Sequence, residues 1–166
     1  RTGTAVLRAS LNVTESKLKD GVVIYRQLPK VNSSGHFGSR LVFDRNGHLF
    51  VTLGDRQSRS ERVHAQDLTR GNGKVVRITT EGKAAPANPQ FADRSAQVGI
   101  WSYGHRNPQG AALHPTTGEL WVSEHGPQGG DEINRVLAGK NYGWPVISHG
   151  QEYGISIQVG EGSAKA

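Results

Sequence analysis

Hydrophobic residues in this chain occur in short runs that alternate with polar residues, and Gly, Pro, Asn or Asp interrupts each run. Alternation with a period of two predicts β-strands, whereas the 3.6-residue period of an amphipathic helix is almost absent. The pattern therefore predicts an all-β protein with one short helical turn, at residues 65–69. The predicted strands are residues 4–11, 22–27, 39–43, 48–53, 74–79, 99–103, 109–113, 119–123 and 132–136.

A repeated unit of strand, tight turn and strand occurs twice in the chain, at residues 43–52 and 113–123. The four residues from Leu49 map onto the four from Leu120 at a constant offset of 71, and the second turn is one residue longer. Another predicted strand follows each hairpin, and both of these strands end in Arg followed by an aliphatic residue, at Arg77 and Arg135. The repeat therefore extends over at least three strands.

Repeats of several antiparallel strands are typical of β-propeller blades, here with long loops at residues 54–73 and 125–131. Both loops leave the same end of their strands, where functional residues tend to collect. Two copies with flanking strands amount to two or three blades, and a closed propeller needs about four to eight. We therefore expect residues 1–166 to be a fragment of a single propeller domain, cut at both ends. A β-sandwich with two similar hairpins is the alternative.

Composition excludes several kinds of site. The 166 residues contain no Cys, which rules out disulfides, Cys-ligated zinc, iron–sulfur clusters and a thiol nucleophile. No apolar stretch reaches the roughly 18 residues that a membrane-spanning helix needs. The net charge of +6 suits either nucleic acid or an anionic small ligand. Because the densest basic run, residues 56–62, contains Glu61 and no aromatic residue for base stacking, we expect no nucleic-acid binding.

A histidine and an aspartate form the first candidate pair. His36 lies between glycine-containing segments just before a predicted strand, and its imidazole is suited to act as a general base near neutral pH. Asp55 follows the next strand, where its carboxylate could accept the other imidazole N–H and fix the tautomer. Taken alone, a histidine at such a position is more often a surface or packing residue.

Two further motifs lie in loops or at the ends of predicted strands. Arg106 and Asn107 combine a planar cation that binds carboxylates with an amide that donates and accepts hydrogen bonds. Gly126 and Pro127 form a turn that can present consecutive main-chain carbonyls, which are ordinary calcium ligands. A salt bridge at the start of a strand and a plain turn are the alternative interpretations of these two motifs.

Four segments together carry a family resemblance: SGHFGSRLVFDRNGHLFVTLGDR, HAQDLTRGNGKVVRI, IWSYGHRNPQGAALHPTTGELWVSEHGPQGGDEINRV and GKNYGWPVISHG. They resemble the soluble sugar dehydrogenases that depend on pyrroloquinoline quinone (PQQ), and most closely the aldose sugar dehydrogenase branch of the glucose/sorbosone dehydrogenase family. The resemblance covers roughly residues 35–150. It implies a six-bladed propeller with PQQ and calcium at the mouth of the axial tunnel.

The resemblance also implies a role for each candidate residue. His36 would take the proton from the anomeric hydroxyl of the sugar, and Asp55 would hold its ring. Arg106 and Asn107 would contact PQQ. The calcium ligands would be the main-chain carbonyls of Gly126 and Pro127.

The implied activity is oxidation of aldose sugars to lactones, with electrons passed to an external acceptor and a periplasmic or secreted location. The family has further PQQ-binding basic residues beyond the position that corresponds to Ala166, so we expect residues 1–166 alone to bind PQQ weakly and turn over little. Two alternatives remain. One is a calcium-dependent propeller lactonase or related hydrolase, and the other is a non-catalytic propeller that binds a sugar or a protein.

Overall fold

The computed structural model describes residues 1–162, which form nine strands in three antiparallel sheets. The first sheet pairs β1 (Ala5–Asn12) with β2 (Lys17–Arg26). The second has the order β3 (Gly38–Phe43), β4 (Leu49–Leu53), β5 (Lys74–Ile78) and β6 (Ile100–Tyr103). The third has the order β7 (Pro108–Leu113), β8 (Leu120–Glu124) and β9 (Glu132–Val136). Each sheet thus meanders in chain order, as the blades of a propeller do, and the all-β prediction is confirmed.

The nine predicted strands match the nine observed strands to within one residue at every end except the start of β2. β2 begins at Lys17, five residues before the predicted strand, in a segment rich in lysine. The first three residues of β2, Lys17 to Lys19, pair in a regular antiparallel register with the last three of β1. Backbone pairing to β1 therefore extends the strand through charged residues that hydrophobic alternation does not mark.

The helical turn was predicted too late in the chain. Helix α1 spans Arg59–Arg62 and continues into a 3₁₀ turn at Val63–Ala65, so most of residues 65–69 lie after it. The helix begins there because the hydroxyl of Ser58 accepts a hydrogen bond from the backbone N–H of Glu61. The capping serine therefore decides where the helix begins, and the hydrophobic pattern contains no signal for it.

The two central strands of the second sheet, β4 and β5, are buried on both faces. On one face, alternate residues of β4 and β5 pack against β1 and β2 in a cluster of Val6, Leu49, Val51, Leu53, Val76, Ile78 and Ile100. On the other face, Phe50 and Val75 pack against the third sheet, in a cluster with Leu120, Val122 and Val136. Because successive side chains of a strand point to opposite faces, all five residues of β4 and all five of β5 are buried.

This packing places the loops that follow β4 and β8 at the same end of neighbouring sheets. The backbone N–H of Asp55, after β4, donates a hydrogen bond of 2.7 Å to the carbonyl of Arg106, just before β7. The loop segments of the two sheets are therefore bonded directly to each other. Among residues 1–162, no helix is long and apolar enough to cross a membrane.

Candidate active site

His36 and Asp55 form a short polar contact between the segment before β3 and the loop after β4. The Nδ1 atom of His36 lies 2.7 Å from Oδ1 of Asp55. The carboxylate is fully buried, while 13% of the imidazole is exposed. Since a carboxylate can only accept, Nδ1 carries the hydrogen and Nε2 keeps its lone pair. The imidazole is thereby held in the tautomer that can accept a proton at Nε2.

The Asp55 carboxylate is bound by two further donors. The backbone N–H of Gln57 donates to Oδ1 at 2.7 Å, and the indole Nε1–H of Trp144 donates to Oδ2 at 2.7 Å. Both oxygens of the buried carboxylate are therefore satisfied, as a buried charge requires. Trp144 is 89 residues away in the chain and was not among the predicted site residues.

The backbone around His36 is packed against Gly54 and held in an unusual conformation. His36 itself has φ +46°, a left-handed conformation that is uncommon for a residue with a side chain. A Cβ atom on Gly54 would lie 2.0 Å from the carbonyl oxygen of His36, so only glycine fits there. The close approach of these two loops brings Asp55, the next residue, within hydrogen-bond distance of the imidazole.

Arg56 anchors the same loop from behind. Its guanidinium donates to the carbonyls of Ser33, at 2.7 Å, and His36, at 3.3 Å. It also stacks over the ring of Phe37, 3.6 Å from the centroid. Burial lowers the pKa of Arg56, and the negative charges of Asp55 and Glu61 oppose that effect. This arginine is therefore committed to holding the His36 loop and is not available to a ligand.

Arg106 and Asn107 contribute unpaired donors in a different loop. Arg106 uses Nη1 to donate to the carbonyl of His125 at 2.9 Å, and its Nε and Nη2 make no hydrogen bond with the described residues. Asn107 accepts from the backbone N–H of Gly38 at 3.2 Å, and its amide nitrogen has no partner within residues 1–162. Both residues are more than nine-tenths buried, yet their unpaired nitrogens are not among the buried atoms that lack a partner. These donors are therefore open to the cleft that the two residues line, where a ligand could bind them.

A buried set of side chains fixes the backbone at Arg106. The imidazole of His105 lies 2.8 Å from the hydroxyl of Ser102 and 2.9 Å from Oε2 of Glu124. The other carboxylate oxygen of Glu124 accepts the backbone N–H of Arg106. Although a serine, a histidine and a carboxylate can form a nucleophilic triad, Ser102 and His105 are fully buried and cannot meet a substrate. Their observed contacts instead orient Arg106.

The candidate residues meet in one open cleft of about 780 Å³. Five of the six predicted residues line it, namely His36, Arg106, Asn107, Gly126 and Pro127. Asp55 lies behind His36 and does not reach the cleft surface. The carboxylate of Asp131 accepts the backbone N–H of Gly126 at 2.8 Å and so fixes the turn that follows β8. Residues from two sheets and three loops therefore form a single site.

The family model described as Glucose / Sorbosone dehydrogenase matches residues 1–166. The chain belongs to the glucose/sorbosone dehydrogenase family. Among curated proteins, it is 46% identical to the aldose sugar dehydrogenase YliI of Escherichia coli over 100% of this chain and 44% of the relative. It is 32% identical to quinoprotein glucose dehydrogenase B of Acinetobacter calcoaceticus over 87% of this chain and 33% of the relative. The chain thus spans less than half the length of the curated relatives.

Solved structures of this family have the same fold over the matched part. The soluble aldose sugar dehydrogenase of E. coli in its apo form superposes with a TM-score of 0.88 at 46% identity, over 96% of this chain and 46% of the other. The PQQ-bound aldose sugar dehydrogenase of Streptomyces coelicolor superposes with a TM-score of 0.77 at 28% identity, over 96% and 45%. The chain is therefore part of a propeller and is homologous to PQQ-dependent sugar dehydrogenases.

Three residues that support the candidate site were not among the site residues predicted from sequence. They are His105 and Glu124, which bond each other across 19 positions, and Trp144, which bonds Asp55 across 89. All three lie inside segments that carry the family resemblance, but the local sequence pattern does not indicate these distant partners. Only the packing of the loops shows what they contact.

Proposed function

We propose that the intact protein oxidises aldose sugars to lactones in this cleft, with PQQ and calcium as cofactors and His36 as the general base. The observation that carries the proposal is the His36–Asp55 pair, 2.7 Å apart, at the edge of a cleft that also exposes Arg106. A general base and an anion-binding cation on one cleft wall suit removal of a proton next to a bound anionic cofactor. Membership of the family supports the same chemistry.

The residues present fit PQQ, which is a flat molecule with three carboxylates. The cleft volume of about 780 Å³ falls within the roughly 300–1,000 Å³ of small-ligand sites. The unpaired Nε and Nη2 of Arg106 form the planar pair of donors that binds a carboxylate, and the free amide nitrogen of Asn107 adds another donor. Arg106 and Asn107 would therefore hold the cofactor.

The turn after β8 offers the oxygen ligands that calcium prefers. The carbonyls of Gly126 and Pro127 belong to residues that line the cleft, and the Asp131 carboxylate lies beside them. Among residues 1–162, no three His, Asp or Glu side chains form a group that could hold a metal ion. A calcium site here would therefore depend on main-chain carbonyls, as the resemblance implies.

His36 performs the proton transfer in this mechanism. When bound, PQQ would supply the electrophile that accepts a hydride from the sugar, and calcium would supply Lewis-acid polarisation of the quinone. Nε2 of His36 takes the proton of the anomeric hydroxyl, and the Asp55 carboxylate stabilises the imidazolium that forms. Asp55 also prevents the ring from rotating, so the lone pair stays directed at the substrate.

Further features of the proposal concern the intact protein. We expect a periplasmic or secreted location and an external electron acceptor, since enzymes of this family that use PQQ work outside the cytoplasm. We also expect residues 1–166 to belong to one propeller domain that extends beyond them. Which aldose is preferred depends on loops that line the rest of the cleft.

Dye reduction tests the proposal directly. The intact protein is assayed with a panel of aldoses, with and without PQQ and calcium, beside His36→Ala. We expect activity only when both cofactors are present, and a fall in kcat of about 100- to 10,000-fold in the variant because the general base is lost. His114→Ala is a matched control, since His114 lies in the turn between β7 and β8 at the opposite end of the sheet.

If the wild-type protein binds calcium but reduces no dye with any aldose, the dehydrogenase proposal is wrong. Lactone hydrolysis and sugar binding should then be measured, since these are the activities of the two alternative propeller classes. If His36→Ala retains full activity, the assignment of the base is wrong while the dehydrogenase proposal stands.

A further inference from the structure

Trp144 contacts both Asp55, the partner of His36, and Arg106, which lines the cleft. Its ring is buried with Ala65 and Val159, and only 5% of the residue is exposed. Its indole N–H donates to Oδ2 of Asp55, the carboxylate that holds His36. The guanidinium of Arg106 lies over its ring, 5.4 Å from the centroid. One side chain therefore contacts the partner of the proposed base and the residue proposed to bind PQQ.

The acceptor of the Trp144 indole N–H is a carboxylate, although a neutral group would satisfy this donor. A buried tryptophan needs only one acceptor for its indole N–H, and a backbone carbonyl would serve. Here the acceptor is a fully buried carboxylate, so the bond is charge-assisted and stronger than a neutral one. Without it, Oδ2 of Asp55 would have no donor among the described side chains, because Gln57 and His36 both bind Oδ1.

The position of Trp144 is itself fixed from several sides. Its backbone N–H donates to the carbonyl of Gly104 at 3.0 Å, and its carbonyl accepts from the amide of Gln66 at 2.6 Å. The guanidinium of Arg62 lies 5.6 Å from the ring centroid and is paired with Glu152. The indole is therefore held rigidly enough to direct both of its site contacts.

We propose that Trp144 is the positioning residue that aligns the His36–Asp55 pair through its N–H and orients Arg106 through its ring face. This inference deepens the proposed function and rests on it for its effect on activity. The two roles use different parts of the indole: the N–H acts on Asp55, and the aromatic face acts on Arg106. They can therefore be separated by substitution.

Two variants of the intact protein separate the roles. Trp144→Phe keeps an aromatic face and removes the N–H, so we expect kcat to fall about 10-fold or more, as for loss of a hydrogen bond to a charged group. Its affinity for PQQ should change by no more than about 3-fold, since a phenyl ring still supports a cation. Trp144→Leu removes the face as well, and we expect it to lower PQQ affinity in addition to kcat.

Trp121→Phe is the matched control because Trp121 lies in β8, is 37% exposed and contacts neither Asp55 nor Arg106. We expect its kcat and PQQ affinity to equal those of the wild type. A purely structural role for Trp144 would lower the melting temperature and leave kcat of the folded enzyme unchanged. Wild-type kcat in Trp144→Phe would therefore overturn the inference.

A spectroscopic measurement tests the bond without any turnover. In protein labelled with ¹⁵N-tryptophan, the Trp144 indole N–H resonance is identified by its loss in Trp144→Phe. Asp55→Asn removes the charge from the acceptor, so we expect this resonance to move upfield and exchange faster with solvent. An unchanged resonance would overturn the proposed contact. If the wild type reduces no dye with any aldose, the proposed function fails, and this spectrum still decides whether Trp144 holds Asp55.

Discussion

The hairpins β3–β4 and β7–β8 occupy the same place in neighbouring sheets, yet they supply different chemistry. His36 and Arg106 each lie two residues before the first strand of their hairpin, and Asp55 and Gly126 each lie two residues after the second. One copy therefore carries an acid–base pair, and the other carries a cation and a turn held by Asp131. The propeller repeat places equivalent positions around one cleft, and the residue types at those positions then divide the tasks.

The same two hairpins also differ in burial. All five residues of β4 are buried, whereas those of β8 alternate between buried and exposed. The second sheet lies between two others, and the third has one open face in the described structure. Sequence similarity between the copies therefore predicts the strands and their register, but the cost of a substitution depends on what covers each face.

Phe50 and Trp121 occupy the same repeat position, and substituting them should give the largest difference in the free energy of unfolding. Phe50 is 5% exposed and packs edge-on against Trp101, whereas Trp121 is 37% exposed. We expect Phe50→Ala to lower the free energy of unfolding by about 3–5 kcal/mol, and Trp121→Ala by about 1 kcal/mol. Urea unfolding of the chain measures both. An equal cost at the two positions would show that the outer face of β8 is covered in solution.

Arg77 and Arg135 also occupy the same repeat position, and substituting them should give an intermediate difference in the free energy of unfolding. Arg77 forms an ion pair of 2.6 Å with Asp44, and both side chains are about nine-tenths buried, whereas Arg135 and Glu119 are 3.5 Å apart and exposed. Burial alone would raise the pKa of Asp44, but hydrogen bonds from His48, Arg77 and Asn46 together outweigh it and lower the pKa.

We expect Arg77→Ala to lower the free energy of unfolding by about 3 kcal/mol, since it leaves a buried carboxylate without its cation. Arg135→Ala should cost less than about 0.5 kcal/mol, as for an exposed pair. Thermal and urea unfolding of the two variants measure the difference. Similar values for both would mean that the buried pair contributes no more than the surface pair.

Lys74 and Glu132 are the first residues of β5 and β9, which are equivalent strands of the two copies. The effect expected here, on the pH dependence of stability, is the smallest of the three. Burial lowers the pKa of Lys74 from 10.5 to about 7, and the negative charge of Asp67 opposes the effect. Its ammonium donates to the carbonyls of His64, Ala65 and Asn72. Between pH 7 and 10.5 the unfolded chain therefore binds more protons than the folded one, and stability rises with pH.

We expect this lysine to add about 2 kcal/mol to the free energy of unfolding between pH 7 and pH 9. Lys74→Met should flatten that rise, and the exposed Lys140→Met should leave it unchanged. Urea midpoints at pH 7, 8 and 9 for the three proteins make the test. The same pH slope in Lys74→Met and wild type would contradict the lowered pKa.

Much of the fold could be predicted from sequence because strand alternation and turn residues are local signals. The helix after Ser58 was misplaced because a single hydroxyl cap decided its start. β2 was predicted too short because its first residues, from Lys17, are held by pairing with β1 and not by an apolar face.

The candidate site was predictable to the extent that its residues lie in segments with a family resemblance. The structure brings His36 within 2.7 Å of Asp55 and places Arg106, Asn107, Gly126 and Pro127 around the same cleft. Their roles with sugar, PQQ and calcium stay predictions, which the dye assay addresses. Trp144 could not be predicted, because a hydrogen bond across 89 residues leaves no local pattern.

The amino-acid sequence by itself determined the strands, the repeated hairpin and the residue types available at each loop, since these depend on local periodicity and composition. Tertiary structure alone decided which of two equivalent positions is buried, which donors remain unpaired, and that Trp144 joins Asp55 to Arg106. The physical reason is that alternation specifies that a strand has an apolar face, while burial and hydrogen bonding depend on which sheet packs against that face.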